Sequence, residues 1–218
     1  MAVSGTLLQA GYLGGVFASL HHGMPAGVSA LVTGMQPVLT AVLGGWLLRE
    51  KVSGRQWAGF GLGFVAVLLV VGERIRVEGL GAVAIGLSIF ALLSITLGTL
   101  WQKRHGAGVD LRTGAAIQFI AAAVVLAPFA VAEQGTVRWS GEFVFALGWL
   151  VVVLSIGAIF LLLTLIKRGR ATQVSSLFYL VPPTTALIAW PLFGETYSLA
   201  AAAGMGLAML AVWLVMKA

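Results

Sequence analysis

Ser29, Thr33, Gln36, Pro37, Thr40 and Gly44 are spaced so that, on a helix, they line one face. Hydroxyls, an amide and small side chains can hold a solute by hydrogen bonds and shape. Lipid would penalise such a stripe, so it should face inward. Pro37 adds backbone chemistry, because proline removes one helical hydrogen bond and frees the carbonyl a turn earlier. Moved 146 positions along the chain, the stripe falls on Ser175, Tyr179, Pro182, Pro183, Ala186 and Trp190. Broken helices of this kind present backbone dipoles beside polar side chains, the makings of a small-solute site. Gln9 and Tyr12, three apart, add two candidates. The residues expected to contact a solute are therefore Gln9, Tyr12, Thr33, Gln36, Thr40, Tyr179 and Trp190, with helix breaks at Pro37, Pro182 and Pro183. Ser29, Gly44 and Ser175 read instead as small residues that let helices pack closely.

Other chemistry is thin. All seven acids (Glu50, Glu73, Glu78, Asp110, Glu133, Glu142 and Glu195) fall in or beside loops. The sequence therefore lacks the intramembrane carboxylate that usually handles a proton or sodium ion. His21 and His22 could titrate near neutral pH, but they read as an exposed pair at a turn. His105 and Asp110 have the H-x-x-x-x-D spacing of some acyltransferases, yet no acidic metal cluster or G-x-S-x-G elbow accompanies them. Coincidence in a glycine-containing loop explains them better, and an enzyme is not expected. Glu50 and Glu195, just ahead of Ser53 and Ser198, read as capping and turn residues. There is no cysteine, which excludes disulfides, thiolate catalysis and cysteine-ligated metal sites. Neither a metal nor a cofactor is expected.

These residues sit in a chain that the bilayer must solvate. Of its 218 residues 60% are hydrophobic and 9% charged, and the mean hydropathy is +1.03; a soluble domain carries about 25% charged residues. Only helices and closed barrels satisfy every backbone polar group in hydrocarbon. Unbroken apolar runs such as 60–71 and 143–166 lack the alternation of a barrel. The net charge of +6 lies in short loops between those runs and not on a soluble face, which argues against a nucleic-acid partner. The first Lys or Arg is Arg49, so residues 3–20 read as a spanning helix and not as a cleaved signal peptide.

At about 20 apolar residues per crossing, charge and turn clusters divide the chain into eight expected spans. They lie near 3–20, 26–47, 57–72, 80–101, 113–132, 143–166, 171–193 and 198–216. Both termini then share one side. That side receives ten basic residues (Arg49, Lys51, Arg55, Lys103, Arg104, Arg112, Lys167, Arg168, Arg170 and Lys217), against three opposite (Arg74, Arg76 and Arg138). Cytoplasmic loops retain Lys and Arg, so both ends are expected in the cytoplasm. Trp46, Trp57, Trp101 and Trp139 sit near the predicted span ends, where an indole prefers to be.

The chain also repeats itself. Val28-Ser29-Ala30-Leu31 matches Val174-Ser175-Ser176-Leu177, and Gly11, Gly23 and Pro37 fall on Gly157, Gly169 and Pro183 at the same offset of 146. After a one-residue slip, Glu50 and Ser53 fall on Glu195 and Ser198, and Gly59 and Gly61 on Gly204 and Gly206. The loops differ in charge. The uncharged turn His21-His22-Gly23 corresponds to the basic Lys167-Arg168-Gly169-Arg170, and the basic Arg49, Lys51 and Arg55 correspond to Gly194-Glu195-Thr196-Tyr197. Matching helices with charges on opposite sides are what an inverted-topology repeat requires, and such repeats are characteristic of transporters.

Met35-Gln36-Pro37-Val38-Leu39-Thr40 followed by Leu48-Arg49-Glu50, and Leu180-Val181-Pro182-Pro183 followed by Phe193-Gly194-Glu195, resemble the paired signatures of EamA-type transporters of the drug/metabolite transporter superfamily. Gly98-Thr99-Leu100-Trp101-Gln102-Lys103-Arg104 is similar to the end of the first helix of that family's second repeat. The similarity covers essentially the whole chain. The resemblance implies ten helices in two inverted five-helix repeats. Here it leaves a partial first repeat of three helices at 1–74 and a complete second repeat of five at 75–218, so that the fold expected is an all-α membrane protein of about eight spans. Two leading helices are then missing, and the reading favoured is that they precede Met1. The expected function is export of small metabolites or drugs across a bacterial inner membrane by alternating access, with the lipid bilayer and a small amphipathic or zwitterionic substrate as partners. A homo-oligomer is compatible with this. The alternatives are a non-transporting membrane scaffold or partner subunit, to which the missing helices lend appeal, and more remotely a membrane-embedded acyltransferase.

Overall fold

The computed structural model describes residues 1–71, 81–133, 138–169, 171–181, 184 and 198–217. They are helical almost throughout, and no strand occurs among them. Helix α1 covers 2–21 and is α-helical except for a π-helical stretch at Thr6–Gly11. Helix α2 covers 26–47 in two halves, Ala26–Thr33 and Gln36–Leu47. Helix α3 is Gly54–Val71, α4 is Ala82–His105 and α5 is Leu111–Ala132. Helix α6 is Gly141–Arg168 and contains a second π-helical stretch, Leu150–Ala158. Helix α7 opens as Ala171–Ser176 and tightens to 3-10 geometry at Leu177–Leu180, and α8 is Leu199–Met216.

Five segments among the described residues are long and apolar enough to cross a membrane: Val28–Leu47, Ala82–His105, Leu111–Ala132, Gly141–Arg168 and Leu199–Met216. Helices α1 and α3 cover the expected spans at 3–20 and 57–72. The span expected at 171–193 begins as α7; most of its continuation, with Pro182, Pro183 and Trp190, lies outside the described residues. The chain is an all-α membrane protein.

Local chemistry sets the helix starts. Ser53 Oγ accepts the Gln56 N–H at 3.2 Å while Gln56 Oε1 accepts the Ser53 N–H at 3.0 Å, a reciprocal capping box at the head of α3. Ser140 and Ser198 cap α6 and α8, accepting from the Phe143 and Ala201 N–H groups at 3.2 and 3.1 Å.

Side chains such as Phe90, Ile120, Phe129 and Phe145 face outward, whereas Ser19, Gln56, Ser88, Thr96 and Gln118 are buried. This distribution suits a hydrocarbon solvent. Lipid tails are as apolar as leucine, so helices associate through close contact and not through a hydrophobic drive. Helix α1 accordingly lies in a seam against α4 and α5. A Cβ on Gly5 would stand 2.4 Å from the Gln118 backbone, and one on Gly11 would stand 2.7 Å from Ser94 Oγ. Helices α3 and α8 pack along one another. Phe60, Val67, Tyr179, Val212 and Val215 form the core where α2, α3, α7 and α8 meet.

Candidate functional site

The interruption of α2 creates the site. Pro37 stands in the first turn of the second half, where its missing N–H costs no intrahelical bond. The turn ahead of it is held by Gly34 N–H to Ala30 C=O at 2.8 Å and Met35 N–H to Val32 C=O at 3.1 Å. A cavity of about 260 Å³ lies beside this break. Its polar groups come from Tyr12 of α1 and from Ser29, Thr33 and Gln36 of α2. Its apolar wall comes from Val16 and Leu20 of α1, Val67 of α3, Ile95 of α4, and Phe178 and Val181 of α7. It occupies the half of the bundle nearest the α1–α2 turn.

The floor is unusual in its hydrogen bonding. Gln36 is fully buried, and its Nε2 donates to Thr99 Oγ1 at 3.5 Å. Thr99 Oγ1 in turn donates to the Ile95 carbonyl at 2.8 Å. Gln36 Oε1, Ser29 Oγ and Thr40 Oγ1 have no partner among the described residues. A buried unpaired polar atom costs about 1–3 kcal/mol, so each calls for an explanation. At Gln36 and Ser29 the cavity supplies one: a bound solute or water can make the absent bond. Among the described residues no Asp, Glu, Lys, Arg or His lines this cavity.

The model of the EamA-like transporter family matches residues 2–72 and 82–217. The chain belongs to the EamA-like transporter family. It is 28% identical over 206 residues to the uncharacterized transporter YvbV of Bacillus subtilis (strain 168), covering 88% of this chain and 63% of YvbV. It therefore spans just under two thirds of that relative. It is 29% identical over 217 residues to the uncharacterized inner membrane transporter YedA of Escherichia coli (strain K12), covering 98% of this chain and 69% of YedA. A shorter match, 28% over 89 residues, links 41% of the chain to 30% of a probable amino-acid metabolite efflux pump of the same strain. A solved crystal structure superposes with a TM-score of 0.84 at 19% identity, covering 99% of this chain and 75% of that one, which is a likeness of fold.

Within this EamA fold the expected contact residues are dispersed. Tyr12, Thr33 and Gln36 come together at the cavity, although the Thr33 hydroxyl is already donated to the Ser29 carbonyl at 2.9 Å. Thr40 is buried one turn beyond Gln36. Gln9 is buried on α1 and is not among the lining residues. Tyr179 lies in the core, its hydroxyl donating to the Phe60 carbonyl at 3.2 Å and its ring filling the space a Cβ on Gly63 would need. Its neighbours Phe178 and Val181 line the cavity instead. Trp190, Pro182 and Pro183 lie outside the described residues. Ser29, which reads from the sequence as a packing residue, also lines the cavity, and its hydroxyl has no partner among the described residues.

The remaining polar candidates are engaged locally. His21 and His22 are exposed at the α1–α2 turn, edge to face at 5.5 Å. His105 stacks on Trp101 at 4.2 Å. Asp110 caps α5, and hydrogen bonds from the Thr113 and Arg112 N–H groups hold its carboxyl below the usual carboxylate range. The His105 Nδ1 lies 3.3 Å from the Trp101 carbonyl, and the Asp110 carboxyl is bonded to Arg112 and Thr113. Among the described residues no three His, Cys, Asp or Glu side chains gather as a metal site would require.

Proposed function

We propose that this chain binds a small amphipathic solute of no net charge in the α2 cavity and passes it across a bacterial inner membrane by alternating access. The observation that carries this is the cavity floor, where buried Gln36 Oε1 and Ser29 Oγ lack partners beside a broken helix. A lone ionic charge would lose its hydration there without gaining a counter-charge from the described residues, whereas a zwitterion or neutral amphiphile brings its own hydrogen bonds and an apolar part for Phe178, Ile95 and Val16. Export of amino-acid derivatives fits this chemistry, and one relative is named for amino-acid metabolite efflux.

Two inverted repeats, 1–74 and 75–218, are the proposed machinery, with both termini in the cytoplasm. Support comes from the charge exchange between matched loops and from the two π-helical stretches. Thr6–Gly11, moved by 146, falls on 152–157, inside Leu150–Ala158. The family match likewise falls in two stretches, 2–72 and 82–217. A cysteine at Gly23 should react with an impermeant maleimide from outside and one at Gly169 should not; the opposite pattern ends the inverted arrangement.

For the cavity, vesicles holding the purified protein should release a loaded apolar amino acid, which is a zwitterion at neutral pH. Gln36→Leu should slow this about tenfold, the worth of one hydrogen bond to a polar group. Unchanged flux in both Gln36→Leu and Tyr12→Phe overturns the site. A second reading, a membrane scaffold or partner subunit, draws on the α6 surface: none of the residues Gly141–Trp149 is buried. Flux by the purified chain alone decides against it.

A further inference from the structure

The polar face of α2 continues below the cavity to a contact between the two halves of the chain. After α2 ends at Leu47, Arg49 turns the backbone at φ 55° in the left-handed region, and Glu50 N–H returns to the Gly44 carbonyl at 3.3 Å. The Glu50 carboxylate then meets the start of α7. Oε1 accepts the Ala171 N–H at 2.9 Å, while Oε2 accepts the Thr172 N–H at 3.3 Å and the Thr172 hydroxyl at 2.9 Å. Three donors thus converge on one ionised acceptor, a bonding mode stronger than a neutral pair, and Ala171 and Thr172 are themselves fully buried.

Between this contact and the cavity floor, Thr40, Ala41 and Gly44 of α2 are buried. Gly44 approaches both sides of the contact: a Cβ there would lie 3.8 Å from Glu50 Oε2 and 3.8 Å from Thr172 Cγ2. One turn up, Thr40 is fully buried and its hydroxyl has no partner among the described residues. Thr33, Thr96, Thr99 and Thr164 each donate to a carbonyl four residues back. Among the described residues Thr40 differs from these four in making no such bond, and it stands between the cavity and the Glu50 contact.

We infer that Glu50 is a latch on the cytoplasmic side, holding α2 to α7 there while the cavity is reached from the other side. Releasing Ala171 and Thr172 parts the two helix ends and exposes Thr40 to the cytoplasm, completing the path. This rests on the alternating-access reading, and its test is made on conformation so that the two can fail separately.

The chain lacks cysteine, so Ser29→Cys and Thr40→Cys serve as reporters toward an impermeant maleimide in right-side-out and inside-out vesicles. With Glu50 intact, Ser29→Cys should react from outside and Thr40→Cys from neither side. Adding Glu50→Gln should raise cytoplasmic labelling of Thr40→Cys at least about tenfold, as losing a charge-assisted hydrogen bond shifts a two-state balance, and should lower labelling of Ser29→Cys. Thr172→Val, which removes one donor and leaves the charge, should shift both reporters in the same direction by less. Glu50→Asp should restore part of the protection. Should Glu50→Gln fail to give monodisperse protein, Thr172→Val decides. Reporters that do not move in the folded variants overturn the latch even where solute flux is measured. Reporters that move in a protein carrying no flux uphold the latch and remove the transport reading.

Discussion

Helices α1 and α6 correspond at the 146-residue offset and share a π-helical stretch at the same place, yet one is enclosed and the other bare. Ala10 is 5% exposed and its counterpart Ile156 is 52% exposed; Gly15 is buried and Leu161 is 62% exposed. The same holds for Ser4 and Gly5 against Leu150 and Val151. Residue size follows the surroundings. Where α4 and α5 press on α1, the buried side chains besides Leu8 and Gln9 are glycine, alanine and serine, because a small residue lets two backbones approach. Where α6 meets no second helix pair among the described residues, they are leucine, valine and isoleucine, which hydrocarbon solvates freely. The two helices are therefore alike in backbone form at their π-helical stretches and unlike in packing.

The strongest way to break the comparison is Gly5→Leu. Its first side-chain carbon would meet Gln118 Cα and O at 2.4 Å, and backbone has no rotamer to escape into. Overpacking costs about 1–3 kcal/mol and occasionally more; contact with backbone puts this substitution at the upper end. Loss of monodisperse protein in mild detergent, or a clear fall in Tm, is expected. Val151→Leu, at the matching place on α6, should leave both unchanged. Equal tolerance at the two sites would show that the α1 seam is not closed.

Leu8→Ala comes next. Leu8 is 5% exposed and packs where a Cβ on Gly98 would stand 2.8 Å from it. The expected cost is about 2 kcal/mol, the low end for truncating a packed leucine, because the separated helices would still sit in an apolar solvent. Unfolding in mixed micelles measures it. A cost near zero would mean that lipid replaces Leu8 as well as it replaces a residue on α6.

Much of this arrangement can be read in the sequence, for identifiable reasons. Helix positions follow from apolar runs cut by charge, so α1 at 2–21 and α4 at Ala82–His105 lie within a few residues of the spans expected. The contribution of α2 to the cavity is legible because its face alternates with lipid-suited residues at helical spacing, which fixes the helix's rotation. Tyr179 is harder. The stretch around it, Leu177 to Val181, is otherwise apolar, so nothing in the pattern says whether Tyr179 or Phe178 points at the cavity, and the answer depends on the gap left by Gly63 on α3. Glu50 is harder still. Beside Ser53 it reads as part of the local cap, and Ser53 does form that cap with Gln56. The carboxylate itself goes to Ala171 and Thr172, more than a hundred residues onward, a partner that only the packing of α2 against α7 supplies.

The smallest effect sharpens the comparison most, because it asks what covers α6. Leu161 is 62% exposed at the edge of a shallow groove between α6 and α7, and among the described residues α6 buries only Leu163 and Ile166 near its far end. If hydrocarbon is its neighbour, Leu161→Ala and Leu161→Trp should each change stability by no more than about 0.5 kcal/mol, as surface substitutions do, since fluid lipid refills or yields to either shape. A packed helix has no such freedom. Were a second copy or a further helix pair seated on α6, the indole would overpack and the alanine would leave a void, so both would destabilise and the chain would change its association state. Measuring the two variants beside Gly15→Leu on α1 makes the contrast internal. Equal tolerance at Leu161 and intolerance at Gly15 is the expected outcome, and it would mean that one sequence repeat has been fitted to protein in its first copy and to lipid in its second.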